Sequence, residues 1–471
     1  MSQPPAPLVK RPLRPTASAP PQAKKAVASG TFGSALEWFD FAVYGAMSAT
    51  VFPTLFFNEM DPAMGLLASF ATFGVGFFAR PLGGIVFGHL GDRIGRRKVL
   101  LTTFLTMGIA SLVIGLLPPH STIGFAAPLL LMVMRFIQGF ALGGEATGAQ
   151  LMTMEHAPKD RRAFYGALMA MGSPVSQVLA NLMLAVLSGV LSEEAFISWG
   201  WRVPFLLSLL LVVVGIYIRV KVEETPVFQQ GVKERAQETP NPAAVIRSHG
   251  WTIARLMLAY SPIILTFYIV TVFGLSYLTG LGFTRSQTFT IVTVANFLSA
   301  VAIWWGGRLA DVYGRRKILL TGSAGTLLAA LVFFPLADLG SFPIALAIVA
   351  FALVSAQFGN AGQGALFAEA FPTHMRYTGS ALALTGANLV FAAPAPFLAS
   401  WLTSLSNGST ISITIFWVVT TVAALINMYL MSDYKTLEGA EHTFGRHVPQ
   451  EPAPAPTSAT RSHAGPEAVA Q

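Results

Sequence analysis

The motif GHLGDRIGRRK, Gly88 to Lys98, carries five charged side chains in a chain of 471 residues of which only 11% are charged. It returns 219 residues later as GRLADVYGRRK, Gly307 to Lys317, with the same spacing and most positions identical. A second pair, EHAPKDRRAF from Glu155 and EAFPTHMRYTG from Glu369, repeats Glu, Pro and Arg at an offset of 214 residues. Two motif pairs at nearly the same offset indicate an internal duplication.

Long apolar runs separate these charged motifs and predict membrane-spanning helices. The chain is 53% hydrophobic, and a helix needs about 20 predominantly apolar residues to cross the hydrocarbon core. The predicted fold class is an all-α membrane protein with twelve transmembrane helices, six in each half. The spans are expected near residues 32–57, 63–88, 98–118, 124–153, 163–191 and 200–220, and near residues 250–279, 286–307, 317–337, 342–369, 377–403 and 410–432.

The polar segments predict how the chain is organised. Residues 1–28 and 433–471 are rich in Pro and Ala and are expected to be disordered cytoplasmic tails. The polar stretch 221–249 is expected to be a cytoplasmic loop that separates a six-helix half over 29–220 from a second over 250–432.

The distribution of Lys and Arg predicts the orientation, because both are enriched in cytoplasmic connections. With both tails and the even-to-odd connections inside, only Arg202 and Arg285 of the 30 basic residues fall outside, and only Arg80 and Arg135 fall within spans. The formal charge of +8 is then explained by the Lys and Arg residues of the cytoplasmic segments, which set the orientation of the chain in the membrane. We therefore expect the lipid bilayer, and no nucleic acid, as a partner.

The sequence argues against an enzyme. It has no cysteine, which excludes disulfides, thiolate metal sites and cysteine nucleophiles. It has no HExxH or GxSxG motif, and its eight histidines are scattered. No cofactor or metal is expected.

The motif at Gly88 resembles the signature loop between helices two and three of the major facilitator superfamily, and the resemblance covers all twelve spans. Further stretches resemble the metabolite:proton symporter branch, which carries citrate, dicarboxylates, shikimate, and proline or betaine. These stretches are EWFDFAVYG (37–45), ARPLGG (79–84), RFIQGFALGGEATGA (135–149) and WGWRVPF (199–205). The resemblance implies alternating access between two halves in the cell inner membrane, cytoplasmic termini and a functional monomer.

Charged residues inside predicted spans indicate where coupling takes place, since each is unfavourable by at least about 2.5 kcal/mol on insertion scales. Glu37, Asp40 and Tyr44 share one face of the first helix, and Arg135 with Gln138 lies in the fourth. We predict that Asp40 pairs with Arg135 and that a proton on Asp40 releases the arginine. Glu37 is the second candidate proton carrier. The alternative is a permanent structural salt bridge.

Arg80 is the predicted partner of a substrate carboxylate, because its guanidinium is always charged and binds carboxylates through two nitrogens. A role in packing or gating is the alternative. Other polar side chains are expected to line the substrate site, although buried amides also serve interhelical hydrogen bonds. They are Tyr44, Gln138, Gln177 and Asn360, with Ser173 and Asn181 extending the stripe on the fifth helix.

The duplicated loops predict a cytoplasmic gate. Arg96 and Arg97 are expected to pair with Glu155, and Arg315 and Arg316 with Glu369. Asp92 is expected to accept hydrogen bonds at a neighbouring helix N-terminus, and Asp311 is its counterpart in the second loop. The alternative is that these arginines only anchor the cytoplasmic side.

The predicted function is import of a small organic acid by proton symport, with the acid and a proton as the partners. A proton-coupled exporter of a metabolite or drug is one alternative. GSPVSQVLA from Gly172 lacks the Gly-Pro and paired glycines typical of such antiporters. Two further alternatives are a carrier of a zwitterion such as proline or betaine and a sensor that has lost transport.

Overall fold

The computed structural model describes residues 35, 38–94, 96–143, 161–208, 213, 242–372 and 375–431, without the side chains of 88–89, 91–98 and 100. Helices and short connections make up this part of the chain, and no strand occurs in it. Among the described residues, nine helices are long and apolar enough to cross a membrane, and Leu101–Leu116 is a shorter apolar helix. The helix at 38–50 and the one that begins at 203 mark the first and sixth predicted spans.

The first half contains α1 to α6. Their bounds are α1 38–50, α2 Pro62–Ile94, α3 Arg96–Leu116, α4 Ala126–Gly143, α5 Arg162–Val190 and α6 203–208 within the described residues. Short helices at Phe52–Phe56, His120–Ile123 and Glu193–Ser198 lie in the connections. The second half contains α7 to α12. Their bounds are α7 Pro242–Gly280, α8 Arg285–Tyr313, α9 Arg315–Ala337, α10 Phe342–Glu369, α11 Arg376–Leu405 and α12 Ile411–Tyr429.

The seventh helix begins earlier than predicted. The sequence predicts that residues 242–249 belong to the central loop, but the helix starts at Pro242 and bends at His249, where φ is −127° and ψ is 18°. Proline is favourable at the first helical position, and Val245 is fully buried in the core. The pattern of apolar residues in this segment was too short to separate it from a loop.

Two helices contain a wide π-helical turn. Ile269–Phe273 interrupts α7 and Asn388–Ala392 interrupts α11. Such turns hold one residue more than an α-helical turn and occur frequently at functional sites. Both lie where the two halves meet, because Val272 packs at Gly45 of α1 and Ala393 packs at Gly74 of α2.

Helices α5 and α8 pack antiparallel along their length and form the α5–α8 seam. A Cβ added at Gly307 would lie 2.5 Å from the Cβ of Ala167, so only glycine fits there. Toward the other end, Ser286 Oγ donates a hydrogen bond to the Ala185 carbonyl oxygen at 3.1 Å. The contact between α2 and α11 forms the other seam between the halves.

Glycines bring α2 and α4 close together. A Cβ at Gly139 would overlap the backbone of Gly76, and a Cβ at Gly143 would overlap the carbonyl oxygen of Arg80. Small residues at helix contacts let backbones approach closely in membranes. This close approach places Arg80 of α2 and Arg135 of α4 in the same part of the first half.

Candidate functional site

Four buried polar side chains form a hydrogen-bonded chain across α1, α3 and α4. Ser111 Oγ donates to Asp40 Oδ2 at 2.7 Å, and Gln138 Nε2 donates to Ser111 Oγ at 2.6 Å. Arg135 Nη1 donates to Gln138 Oε1 at 3.2 Å. Each of the four residues is at most 2% exposed. We refer to them as the relay.

The relay corrects the predicted direct pairing of Asp40 with Arg135. The two charged groups form no ion pair within 4.0 Å in this conformation and are joined through Ser111 and Gln138 instead. The guanidinium of Arg135 packs against aromatic rings of the first half instead of contacting the carboxylate. Gln138, predicted to bind substrate, therefore lies between the two charges.

Arg135 is enclosed by aromatic rings of the first half. Its guanidinium carbon lies 4.0 Å from the ring centre of Phe41, 4.2 Å from that of Tyr44 and 5.1 Å from that of Phe73. Cation–π contacts of this kind are worth about 2 kcal/mol when desolvated. The Nε and Nη2 atoms are buried and have no hydrogen-bond partner among the described residues.

Arg80 reaches the same aromatic ring from α2. Its guanidinium carbon lies 4.6 Å from the ring centre of Phe41 and 5.5 Å from that of Phe77. Two arginines predicted to have different roles, substrate binding and proton coupling, thus meet at one phenyl ring. Tyr268 of α7 packs 5.5 Å from Phe77 and 5.8 Å from Phe73, measured between ring centres, so the second half borders the site.

The remaining predicted substrate residues lie in three separate places. Tyr44 donates a hydrogen bond to Thr72 Oγ1 at 2.8 Å and belongs to the arginine site. Gln177 lies on α5, where its Oε1 accepts from Asn181 Nδ2 at 2.9 Å. Asn360 lies on α10, where its Oδ1 accepts from the Tyr260 hydroxyl at 3.2 Å. Glu37 lies outside the described residues.

Sequence reasoning missed two polar side chains. Ser111 is fully buried. The sequence did not indicate its place in the relay, because a single serine in an apolar helix has no distinctive spacing. Asn296 of α8 is fully buried as well. Its signal was available, since an amide within a span is uncommon and calls for a partner.

At the inner end, the second signature loop contacts the first half. Asp311 accepts hydrogen bonds from the backbone nitrogens of Ala163 and Phe164, both at 2.9 Å, and so caps the N-terminus of α5. Arg315 Nη2 lies 3.6 Å from Asp311 Oδ1, and Arg315 Nε lies 3.3 Å from Glu369 Oε1. The contact of Arg315 with Glu369 is the pair predicted for the second loop, whereas the contact of Arg315 with Asp311 was not predicted.

Arg316 does not contact Glu369 as predicted. Its Nε donates to the Met428 carbonyl oxygen at 2.8 Å, and its Nη2 donates to the Tyr429 carbonyl oxygen. Neighbouring helical residues point about 100° apart, so only one of the two arginines faces α10. Arg316 instead caps the C-terminus of α12. The predicted partners of the first loop lie outside the described residues or side chains. They are Asp92, Arg96, Arg97 and Glu155.

At the outer end, Arg285 joins the halves. It forms an ion pair with Glu193 and donates from Nη2 to the Thr50 carbonyl oxygen at 3.1 Å. Arg202, the other outer arginine, donates from Nη1 to the carbonyl oxygens of Gly115 and Leu117, both at 2.8 Å. Partial burial lowers the pKa of Arg202 from its ordinary value. Through Arg285 at the outer end and Asp311 at the inner end, the two halves contact each other on both sides of the membrane.

A comparison with protein families identifies the superfamily of the chain. The model of the Major Facilitator Superfamily matches residues 30–392 and also residues 256–464. The chain belongs to this superfamily. The fold is accordingly its twelve-helix fold, as predicted, and the protein is a membrane transporter and not an enzyme.

Curated relatives cover most of the chain. The inner membrane metabolite transport protein YhjE of Escherichia coli K12 is 40% identical, over 80% of this chain and 87% of its own length. The shikimate transporter of the same organism is 38% identical, over 88% and 95%. Its proline/betaine transporter is 34% identical, over 82% and 78%. The predicted resemblance to metabolite transporters and the multi-pass inner membrane location are confirmed.

Solved structures share the fold at low sequence identity. A crystal structure of a D-xylose–proton symporter has a TM-score of 0.69 and 15% identity, and covers 88% of this chain and 98% of its own. An inward-open conformation of the xylose transporter XylE from E. coli has a TM-score of 0.65 and 18% identity, and covers 89% and 99%. At such identity the likeness concerns the fold alone.

Proposed function

We propose that this transporter imports a small organic acid together with a proton. The observation that carries the proposal is the relay, in which a buried carboxyl group is joined to a buried guanidinium by two neutral hydrogen-bonding side chains. A carboxyl group in the membrane interior is a natural proton carrier, because intramembrane acids mark proton pathways. We propose Asp40 as the carrier and Glu37 as the second candidate.

The direction of the hydrogen bonds supports coupling between proton and substrate. Arg135 can only donate, so Gln138 accepts with Oε1 and donates with Nε2 to Ser111, whose hydroxyl is then available to donate to an ionised Asp40. A proton on Asp40 removes the negative charge at the end of this chain. Arg135 then lacks a counter-charge, and its unpartnered Nε and Nη2 atoms form the edge that matches two carboxylate oxygens. Proton and organic acid therefore favour each other's binding.

Arg80 and Tyr44 extend the proposed substrate site. Both arginines border Phe41, so a carboxylate there experiences two guanidinium groups. The names of two relatives, a shikimate transporter and a proline/betaine transporter, describe substrates that carry a carboxylate. This supports an acidic group as the feature that α1, α2 and α4 recognise.

We also propose that the halves α1–α6 and α7–α12 rock against each other in a functional monomer. Asp311, Arg315 and Glu369 would form the inner gate with the corresponding residues of the first loop, and Arg316 would support it by holding α12. Alternating access requires contacts that form on one side of the membrane while those on the other side break.

The proposal is tested by measuring uptake into vesicles with an inward proton gradient. The labelled compounds are shikimate, citrate, proline and glycine betaine. We expect uptake of an organic acid that is lost with a protonophore and in the Asp40→Asn and Arg135→Gln variants. Asp61→Asn serves as the matched control, because Asp61 is an exposed outer acid. Uptake that survives both the protonophore and Asp40→Asn would refute proton coupling. Efflux against an inward proton gradient would show an exporter instead.

A further inference from the structure

The α5–α8 seam contains three buried amide side chains near its middle. Gln177, Asn181 and Asn296 are 5%, 1% and 0% exposed. We propose that these amides form a subsite for the hydroxyl groups of the substrate, so that the transported acid is a hydroxylated carboxylate. The inference rests on the proposed function and specifies its substrate class.

The register of the seam places the three amides at a similar depth along the two helices. Position 307 packs against position 167, and Ser286 bonds the carbonyl oxygen of Ala185. In antiparallel helices these contacts put Gln177 level with Asn296. Asn181 lies one turn from Ala185 and Asn296 lies three turns from Gly307, so both lie on the faces that form the seam.

Two of the amide oxygens have no hydrogen-bond partner among the described residues. Asn181 Nδ2 donates to both the backbone oxygen and Oε1 of Gln177 at 2.9 Å, and Asn296 Nδ2 donates to the Val292 carbonyl oxygen at 2.9 Å. These donor bonds fix which end of each amide is oxygen. The remaining Oδ1 atoms of Asn181 and Asn296 are buried and unsatisfied. Each such acceptor is unfavourable until a donor arrives, because burial has removed its hydrogen bond to water.

The chemistry of two acceptors selects the ligand group. A carbonyl oxygen accepts from O–H or N–H and repels a carboxylate, so the acidic end of the substrate belongs at the arginines of the first half. A quaternary ammonium has no donor to offer. Helix α5 has no acidic residue, and the only acidic residue of α8 is Asp311 at its inner end, so nothing on the seam balances an ammonium charge. Neutral hydroxyl groups fit best.

The test measures how well two unlabelled acids compete with the uptake of a labelled acid. The two competitors differ only in the hydroxyl groups proposed to bind the amides. Shikimate is compared with cyclohexene carboxylate, which keeps the ring and the carboxylate and lacks the hydroxyls. In the unmodified protein, we expect the hydroxylated acid to compete about three- to tenfold better, as neutral hydrogen bonds allow. In Asn181→Leu and Asn296→Leu we expect this advantage to fall toward one, while cyclohexene carboxylate competes as before.

Thr293→Val is the matched control, because the Thr293 hydroxyl bonds the Phe289 carbonyl of its own helix. Equal competition by both acids in the unmodified protein, or an equal loss for both acids in the Asn variants, would overturn the subsite. The first comparison needs no variant, so it decides even where a variant fails to fold. Proline that competes and depends on Asn296 would assign the subsite to an ammonium group and also overturn the proposal. Absence of proton-driven uptake of either acid would instead refute the proposed function.

Discussion

At the scale of single residues, the site depends on side chains that carry no charge. Asp40 and Arg135 are separated by Ser111 and Gln138, and the arginine is enclosed by Phe41 and Tyr44. The charged residues alone are insufficient, because a buried charge requires hydrogen bonds that satisfy it. Neutral residues therefore determine which charged groups are connected by hydrogen bonds.

Ser111→Ala tests this dependence. The change removes the donor to Asp40 and the acceptor for Gln138, and a hydrogen bond to a charged group contributes about 1.5–3 kcal/mol. We expect proton-driven uptake to fall about tenfold or more, with Ser111→Thr restoring it because the hydroxyl is kept. The measurement is the initial rate of uptake at several external pH values.

Ser188→Ala is the control for this series, since the Ser188 hydroxyl bonds the Leu184 carbonyl oxygen of its own helix. An unchanged rate and pH profile in Ser111→Ala would show that Ser111 does not connect the charges during transport.

The sequence predicted the charged residues of the site better than their connections. Charge within an apolar span is conspicuous, so Asp40, Arg135 and Arg80 were found without a structure. Ser111 and Asn296 were missed, because the partners of a polar side chain depend on helix rotation and packing that one span does not contain. The same holds for Arg316, whose direction differs from that of its neighbour by one helical step.

At the scale of helices, glycines determine how closely α2 and α4 approach. Positions 76, 83, 139 and 143 form a contact in which backbone meets backbone. The glycines of α4 are visible in the stretch RFIQGFALGGEATGA, but the sequence of one helix does not identify α2 as its partner. This contact fixes both arginines.

Gly139→Val is predicted to damage the fold. Its side chain would overlap the backbone of Gly76, and overpacking of this kind is unfavourable by about 1–3 kcal/mol or more. We expect a lower unfolding temperature and a smaller yield of monodisperse protein in detergent. Gly280→Ala is the control, because no atom lies within 4 Å of its added Cβ. Equal stability of the two variants would contradict the close approach.

At the scale of the whole molecule, contacts between the halves oppose each other across the membrane. Arg285 with Glu193 closes the outer end, and Asp311 with the N-terminus of α5 closes the inner end. The duplication predicted two halves and ion pairs within each cytoplasmic end, but it did not predict that Asp311 contacts the first half, and the outer contact lies in connections that are not repeated.

Glu193→Gln and Asp311→Asn are expected to shift the conformational equilibrium in opposite directions. The exposed ion pair of Glu193 with Arg285 contributes up to about 1 kcal/mol, which corresponds to a change of up to about fivefold in the ratio of conformations. Asp311→Asn leaves one accepting oxygen in place of the two that bond the backbone nitrogens of Ala163 and Phe164, so we expect a shift of similar size. Spin labels at Ser198→Cys and Leu281→Cys report the distance across the outer end, and the chain has no native cysteine to interfere. Glu194→Gln is the control, and a shift in the same direction for both variants would refute opposed contacts.

The two seams between the halves have a mechanical consequence. The middle of the α5–α8 seam and the contact of Gly74 with Ala393 lie where the halves meet. In the rocking motion proposed above, a line through these two contacts would be the axis of rotation. Displacement grows with distance from such an axis, so the outer and inner contacts would move far while Asn181 and Asn296 would move least. A substrate whose hydroxyls are bound there can stay in place while the direction of access reverses around it.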